Sequence, residues 1–358
     1  MKLLLDVMGG DNSPDEFIKG ALDSLSVLDK DTQIVLLGKE DIINAKLASS
    51  EEYNRFKDRI IVKNANDVIT NHDHPTDAIK NKKDSSMCIG FEMLKNGEGD
   101  ALVSAGNTGA LLAGGLLRVG RIKGIDRPAL CPMLPTIDGK GFMLLDAGAN
   151  TNCKPINLYQ FAKMGSIYLD KVYDIKEAPV GLLNIGAEKE KGNILTKDSY
   201  ELLESDKSIN FYGNIEGRDM FSGNVRVVVT DGFTGNIALK TTEGIGIAIA
   251  SMLKEELTST FPRKIGAGIL KATGAIGALK KRLDYSEYGG ALLLGIDKPI
   301  IKCHGSGKAK DVRIVLKQAE DFARSGVVDE IKAQICSQKV EKNEQDTWYK
   351  RITSFLHL

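Results

Sequence analysis

One unit recurs along the 358-residue chain: a short apolar run, a loop rich in Gly, Asn, Asp and Ser, then an amphipathic stretch. The apolar runs fall at residues 3–7, 101–104, 142–145, 180–184, 225–229 and 300–303. Helical patterns follow several of them, to about residues 28, 119, 169, 250 and 324. The capping-box spacing of Ser13 and Glu16, with Pro14 between them, marks the start of the first helix. Unbroken apolar strands alternating with helices predict an α/β fold whose mostly parallel sheet is covered on both faces. In such sheets ligands bind beyond the carboxyl ends of the strands, which is where all six polar loops fall.

Two segments depart from this unit. Residues 257–283 carry Arg263, Lys264, Lys271, Lys280, Lys281 and Arg282 with no acidic residue. Ile265, Ile269, Ala272, Ile276, Leu279 and Leu283 share one helical stripe, although the four glycines of this segment weaken an isolated helix. The other is a polar tail at 336–358, to which no role is assigned.

Composition narrows the function. Lys+Arg and Asp+Glu both total 48, a balance that argues against a nucleic-acid binder. The apolar fraction of 42% supplies a sizeable core. The first apolar run stops too early for a signal peptide, and none approaches the roughly 20 residues of a membrane span. A cytoplasmic protein is expected. Five scattered cysteines without CxxC spacing argue against both a disulfide framework and a zinc site, so no metal is expected.

The loops suit anions. Asn107-Thr108-Gly109 and Asp231-Gly232-Phe233-Thr234-Gly235-Asn236 each feed a helix N-terminus, where N–H groups and the helix dipole converge. The same glycines would equally serve tight strand-to-helix turns. No GxxxxGK[ST] or GxGxxG fingerprint is present, and Asp11 puts a carboxylate where a pyrophosphate would need neutral donors, so NAD and ATP are disfavoured and no cofactor is expected. Cys303 and His304 read as strand neighbours pointing to opposite faces, which argues against a Cys–His pair. His304 closes a strand at a Gly-Ser-Gly loop and is a candidate general base, oxyanion partner or structural hydrogen bonder. His72 and His74 read as a solvated loop.

Taken in order, the loops resemble those of the phosphate acyltransferase family PlsX. The matching strings are Asp6-Val7-Met8-Gly9-Gly10-Asp11, Lys82-Lys83-Asp84-Ser85-Ser86-Met87, Ser104-Ala105-Gly106-Asn107-Thr108-Gly109-Ala110, Arg127-Pro128-Ala129 and Asp146-Ala147-Gly148-Ala149-Asn150. Leu183-Asn184-Ile185-Gly186, Lys191-Gly192-Asn193, Gly213-Asn214-Ile215-Glu216-Gly217-Arg218 and Asp231-Gly232-Phe233-Thr234-Gly235-Asn236 complete the set. Arg226, Gly307 and Lys308 depart from the family pattern.

The resemblance implies a three-layer α/β/α fold akin to isocitrate and isopropylmalate dehydrogenases, in a single domain over 1–335 with the basic segment inserted. It implies a homodimer that transfers a fatty acyl group from acyl carrier protein to inorganic phosphate, giving acyl phosphate for phosphatidic acid synthesis. It also implies peripheral membrane contact, for which Ile265, Ile269, Ile276, Leu279, Lys271 and Lys280 are the candidates. Phosphate would sit among Asn107, Thr108 and Gly109 and among Thr234, Gly235 and Asn236. Lys83, Lys191 or Lys240 would supply charge, His304 would move a proton or hold the oxyanion, and Asp11 and Asp231 would orient the donors. The alternatives are a phosphate acetyl- or butyryltransferase using coenzyme A thioesters, and a non-catalytic membrane scaffold for the carrier protein.

Overall fold

The computed structural model describes residues 1–283 and 285–337. Its elements run β1 (Lys2–Asp6), α1 (Asp15–Ser24), β2 (Gln33–Gly38), α2 (Glu40–Ala48), α3 (Glu51–Phe56), β3 (Ile60–Asn64), α4 (Pro75–Asn81), α5 (Ser86–Lys95), β4 (Ala101–Ser104) and α6 (Thr108–Gly114). There follow β5 (Ala129–Cys131), β6 (Met133–Leu134), β7 (Phe142–Leu145), α7 (Pro155–Tyr173), β8 (Val180–Leu183), α8 (Ile194–Ser205), β9 (Phe211–Ile215) and β10 (Val227–Val229). The chain continues through α9 (Gly232–Thr258), α10 (Phe261–Ala272), α11 (Ala275–Leu283), β11 (Ala291–Leu294), β12 (Ile300–Lys302), α12 (Ala309–Arg324) and α13 (Val327–Ser337).

The strands form two sheets, ordered β3-β2-β1-β4-β12-β11-β5 and β6-β7-β10-β8-β9. Both are largely parallel; β11 runs against its two neighbours and β6 against β7. Pro132 separates β5 from β6. It has no N–H to continue a ladder, so the chain leaves one sheet there and enters the other. Leu144 N–H and Ala147 N–H donate back to the carbonyls of Pro132 and Leu130, tying the sheets together along this ribbon.

Helices cover both faces. One apolar cluster runs beneath α1, α12 and α7 and takes in strands of both sheets, from Leu3 and Leu5 to Leu145, Leu182 and Val227. A second lies under α4, α5 and α6 on the opposite face of the larger sheet. A third packs the smaller sheet against the first turns of α9 through Ala238 and Leu239. The α/β/α layering expected from the sequence is therefore present.

The capping box expected at Ser13 and Glu16 does not form. Ser13 Oγ instead accepts from Gly10 N–H at 2.8 Å, and Glu16 Oε2 reaches across to Ala309 N–H at 2.7 Å. Ser13 thus closes the first loop on itself, and Glu16 joins α1 to the start of α12. At 257–283 the glycine-rich chain is helical despite its propensity. Gly266 and Gly268 face open space, and Gly274 takes a positive φ of 80° where α10 turns into α11.

Candidate active site

In the larger sheet the chain leaves β1 for β2 on one side and returns to β4 on the other. That reversal opens a crevice at the carboxyl ends of β1 and β4, the position where doubly wound sheets bind ligands. The loops there touch: a Cβ on Gly9 would stand 2.7 Å from Gly106 N, so only glycine permits the approach.

A polar row crosses the strand ends. Asp6 pairs in register with Ser104, and Ser104 with Lys302, so three adjacent strands each present a polar residue at one level. Leu4, Leu102 and Ile300, two residues earlier, belong to the cluster beneath α5 and α6. By the two-residue strand period the polar row faces the same side. Asp6 is buried and accepts from Ser86 Oγ and Ser104 Oγ, both at 2.7 Å, and from Met8 N–H. Lys302 Nζ donates to the carbonyls of Ala105 (2.9 Å) and Cys303 (2.6 Å). Burial pulls its pKa down to about 8, offset in part by Cys303, Asp6 and Asp11, while Lys240 opposes its charge further.

The loop after β12 closes on this row. Asp11 N–H donates to Gly305 O, and the Asn12 side chain donates to Ser306 O and Gly307 O. His304 is exposed and its Nδ1 lies 2.8 Å from Ser306 Oγ. Cys303 is buried, and burial pushes its thiol up to about 11, so it is no nucleophile.

At the start of α6, Asn107 Oδ1 caps Ala110 N–H at 3.0 Å. Its Nδ2 donates to the carbonyls of Thr70, Asn71 and Asp73, so the side chain is committed to structure. The N–H groups of Thr108 and Gly109 have no acceptor among the described residues. The 68–73 segment is further held by Lys82, which pairs with Asp73 at 2.8 Å and lowers that carboxyl to about 2. His72 and His74 beside it are exposed.

The smaller sheet contributes a second group of loops. Asp146 is fully buried at the end of β7 and accepts from the N–H groups of Leu130, Gly148, Ala149 and Asn150 and from Asn150 Nδ2. Burial raises its pKa against that cage of donors. Asp231 caps α9 by accepting from the N–H groups of Phe233 and Thr234, and Gly232 N–H donates to Asn150 O. Gly235 N–H donates to Asp231 O. The backbone of Thr234 and Gly235, expected from the sequence to cradle phosphate, is thus already hydrogen-bonded. The helix cap consumes the donors. Asn236 remains exposed and packs against Gly148.

The lysines singled out from the sequence separate in space. Lys240 lies near enough to Lys302 to act on its charge, and pairs with Glu243 at 2.7 Å. Lys191 is exposed in the loop after β8, with its stem over Gly186. Lys83 is exposed in the turn before α5. Asp6, Ser104, Asp146 and Lys302 were not among the candidate site residues. Their signal was present: each apolar strand that reaches the crevice ends on one polar residue. A polar cavity of about 590 Å³ opens at the ends of β2 and β3. It is lined by Lys39, Glu40, Asp41, Asn44, Asn64 and Asn66, a mixed-charge set that favours no anion.

Away from the crevice, α9, α10 and α11 expose apolar side chains. Ile245, Ile247, Ile249, Met252, Phe261, Ile265, Ile269 and Leu279 are all exposed, whereas Ile276 is half-buried. Lys271 is exposed, and the Lys280 side chain lies outside the described residues. Among the described residues no helix is long and apolar enough to cross a membrane.

Comparison with known proteins follows the same loops. A family model described as "Fatty acid synthesis protein" matches residues 1–330. A phosphate acyltransferase of Thermoanaerobacter pseudethanolicus is 50% identical over 335 residues, 94% of this chain and 97% of the relative. One from Listeria monocytogenes is 46% identical over 346 residues, 97% of this chain and 100% of the relative. Among solved structures, a phosphotransacetylase from Streptococcus pyogenes superposes with a TM-score of 0.57 at 14% identity, covering 90% of this chain and 94% of its own. A branched-chain phosphotransacylase from Enterococcus faecalis gives 0.54 at 13%, covering 91% of this chain and 100% of its own; both likenesses concern the fold. The chain belongs to the fatty acid synthesis protein family matched over 1–330, among its phosphate acyltransferases.

Proposed function

We propose that this acyltransferase moves a fatty acyl group from the thioester of acyl carrier protein to inorganic phosphate, at the crevice between β1 and β4. The observation that carries the reading is the polar row Asp6–Ser104–Lys302 beside the open N–H groups of Thr108 and Gly109. A cation and backbone donors meet there at a strand-end crevice, as an oxyanion requires. A phosphate oxygen bonds to the thioester carbonyl carbon, the C–S bond breaks, and the proton of the phosphate ends on the released thiol. Phosphate needs only positioning for this step, so no covalent protein intermediate is required. His304, on the loop that closes over the row, hands on the proton, while Lys240 and Asn236 on α9 and Lys191 and Lys83 in loops are the further polar candidates. Asp11 and Asp231 act by holding loops in place.

The exposed apolar faces of α9, α10 and α11 support two further assignments. The chain forms a homodimer, and the basic amphipathic segment rests on the cytoplasmic face of the membrane, where acyl phosphate would enter phospholipid synthesis.

The test is an assay of purified protein with palmitoyl carrier protein and phosphate, trapping acyl phosphate as hydroxamate. Phosphate-dependent hydroxamate is expected. Product from coenzyme A thioesters alone would replace the carrier-protein donor, and no product from either would remove the reading.

A further inference from the structure

Lys302 is the charged group that neither the cap nor the loops account for. Its residue ends β12 in the one row of strand-end positions shared by Asp6 and Ser104. Two of its three ammonium protons go to the carbonyls of Ala105 and Cys303, both neutral acceptors. Among the described residues no carboxylate lies within salt-bridge distance of Nζ. Asp6, one of the carboxylates that act on it, is already occupied by two hydroxyls and a backbone N–H. A largely buried cation is ordinarily paired, because desolvating it costs several kcal/mol. Here the fold tolerates that cost at the crevice and leaves one ammonium proton uncommitted. The adjoining α6 start adds the unpaired N–H groups of Thr108 and Gly109.

We infer that Lys302 is the cation that binds the phosphate nucleophile, its third N–H directed to a phosphate oxygen. This rests on the acyl-transfer reading above and adds a substrate-specific residue to it. The phosphate charge supplies the counter-ion that the fold withholds, which makes binding depend on the ammonium. The groups acting on Lys302 are the carboxylates of Asp6 on β1 and Asp11 in the following loop, the ammonium of Lys240 on α9 and the neighbouring Cys303 thiol. Burial outweighs them and pulls the ammonium down to a pKa of about 8 in the free protein. Below that value Lys302 is charged and binds; above it the charge and the affinity are lost.

Steady-state kinetics on the full chain separate this role from a structural one. A charge-assisted hydrogen bond is worth about 1.5–3 kcal/mol, so Lys302→Gln should raise the KM for phosphate by about 10- to 150-fold. The KM for the acyl donor should stay within about twofold. In the unsubstituted protein kcat/KM for phosphate should fall as pH rises through about 8, where phosphate itself is almost entirely dianion; Lys302→Arg should move that fall upwards. If Lys302→Gln does not fold, Lys302→Arg and the pH profile decide. An unchanged phosphate KM in a folded variant, or a pH profile identical in Lys302→Arg, would overturn the assignment. Absence of phosphate-dependent product in the unsubstituted protein would instead overturn the acyl-transfer reading.

Discussion

Two buried carboxylates at strand ends do different work from what their loops suggest. Asp6 gathers hydroxyls from Ser86 and Ser104, and Asp146 gathers four backbone N–H groups and one amide. Neither can also bind an anionic substrate; each fixes the loop that follows its strand. Asp146 is the sharper case, since it joins β5, β7 and the 148–150 turn at one buried point. Asp146→Ala would leave those donors unpaired in the interior, at a cost of about 3–5 kcal/mol. Urea unfolding should show a midpoint lowered accordingly, and a loss below 1 kcal/mol would mean that water replaces the carboxylate. At this scale the sequence was only partly legible. It placed Asp11, His304 and Asn107 in loops that follow strands; β12 ends at Lys302, so Cys303 is buried and His304 exposed just beyond the strand rather than by alternation within it. It could not say that Asp231 and Asn107 spend their side chains as caps, because Asn and Asp in a Gly-rich loop serve helix and ligand alike. Lys302 was hidden because a lysine after two isoleucines looks like the edge of a run rather than a member of a row.

The elements obey the same distinction. Strands with unbroken apolar runs, such as Ala101–Ser104 and Phe142–Leu145, have the bounds that their pattern gives. The division into two sheets was not readable, because it turns on Pro132 and on which neighbour a strand chooses, a matter of distant pairing. The segment at 257–283 shows propensity and pattern in conflict. Its glycines weaken a helix, yet α10 and α11 form with Phe261, Ile265, Ile269 and Leu279 exposed. Apolar residues left on one stripe with lysine and arginine around them fit a lipid surface, where burial of the stripe and attraction to anionic headgroups add. Ile265→Asp with Ile269→Asp should abolish flotation with anionic phospholipid vesicles while leaving the circular dichroism spectrum unchanged. Flotation equal to that of the unsubstituted chain would assign the stripe to contact with a second copy, and the variant would then run as a monomer in sedimentation.

Over the whole molecule the question is whether two sheets fold as one unit, since Lys240 on α9, which packs on the smaller sheet, acts on Lys302 in the larger. The apolar cluster beneath α1, α12 and α7 is continuous, and its joints are specific. Tyr168 of α7 meets Phe322 of α12 edge-on with ring centroids 5.4 Å apart. Lys171 pairs with Glu330 at 3.0 Å, linking α7 to α13. The first contact joins helices that cover different sheets, so loss of packing on one side removes support from the other. Phe322 is almost fully buried, and Phe322→Ala should cost about 3–5 kcal/mol through lost burial and the cavity left behind. If the sheets are one cooperative unit, calorimetry of the variant should show a single transition at lower temperature. Hydrogen exchange should then quicken together in β1 and β4 of the larger sheet and in β8 and β10 of the smaller. Retained protection in β8 and β10, with quickened exchange confined to β1 and β4, would make the ribbon through Pro132 a hinge between independent units. Docking of the two units would then set the approach of Lys240 on α9 to Lys302, and phosphate affinity would change in Phe322→Ala although the residue lies on the far face of the sheet from the polar row.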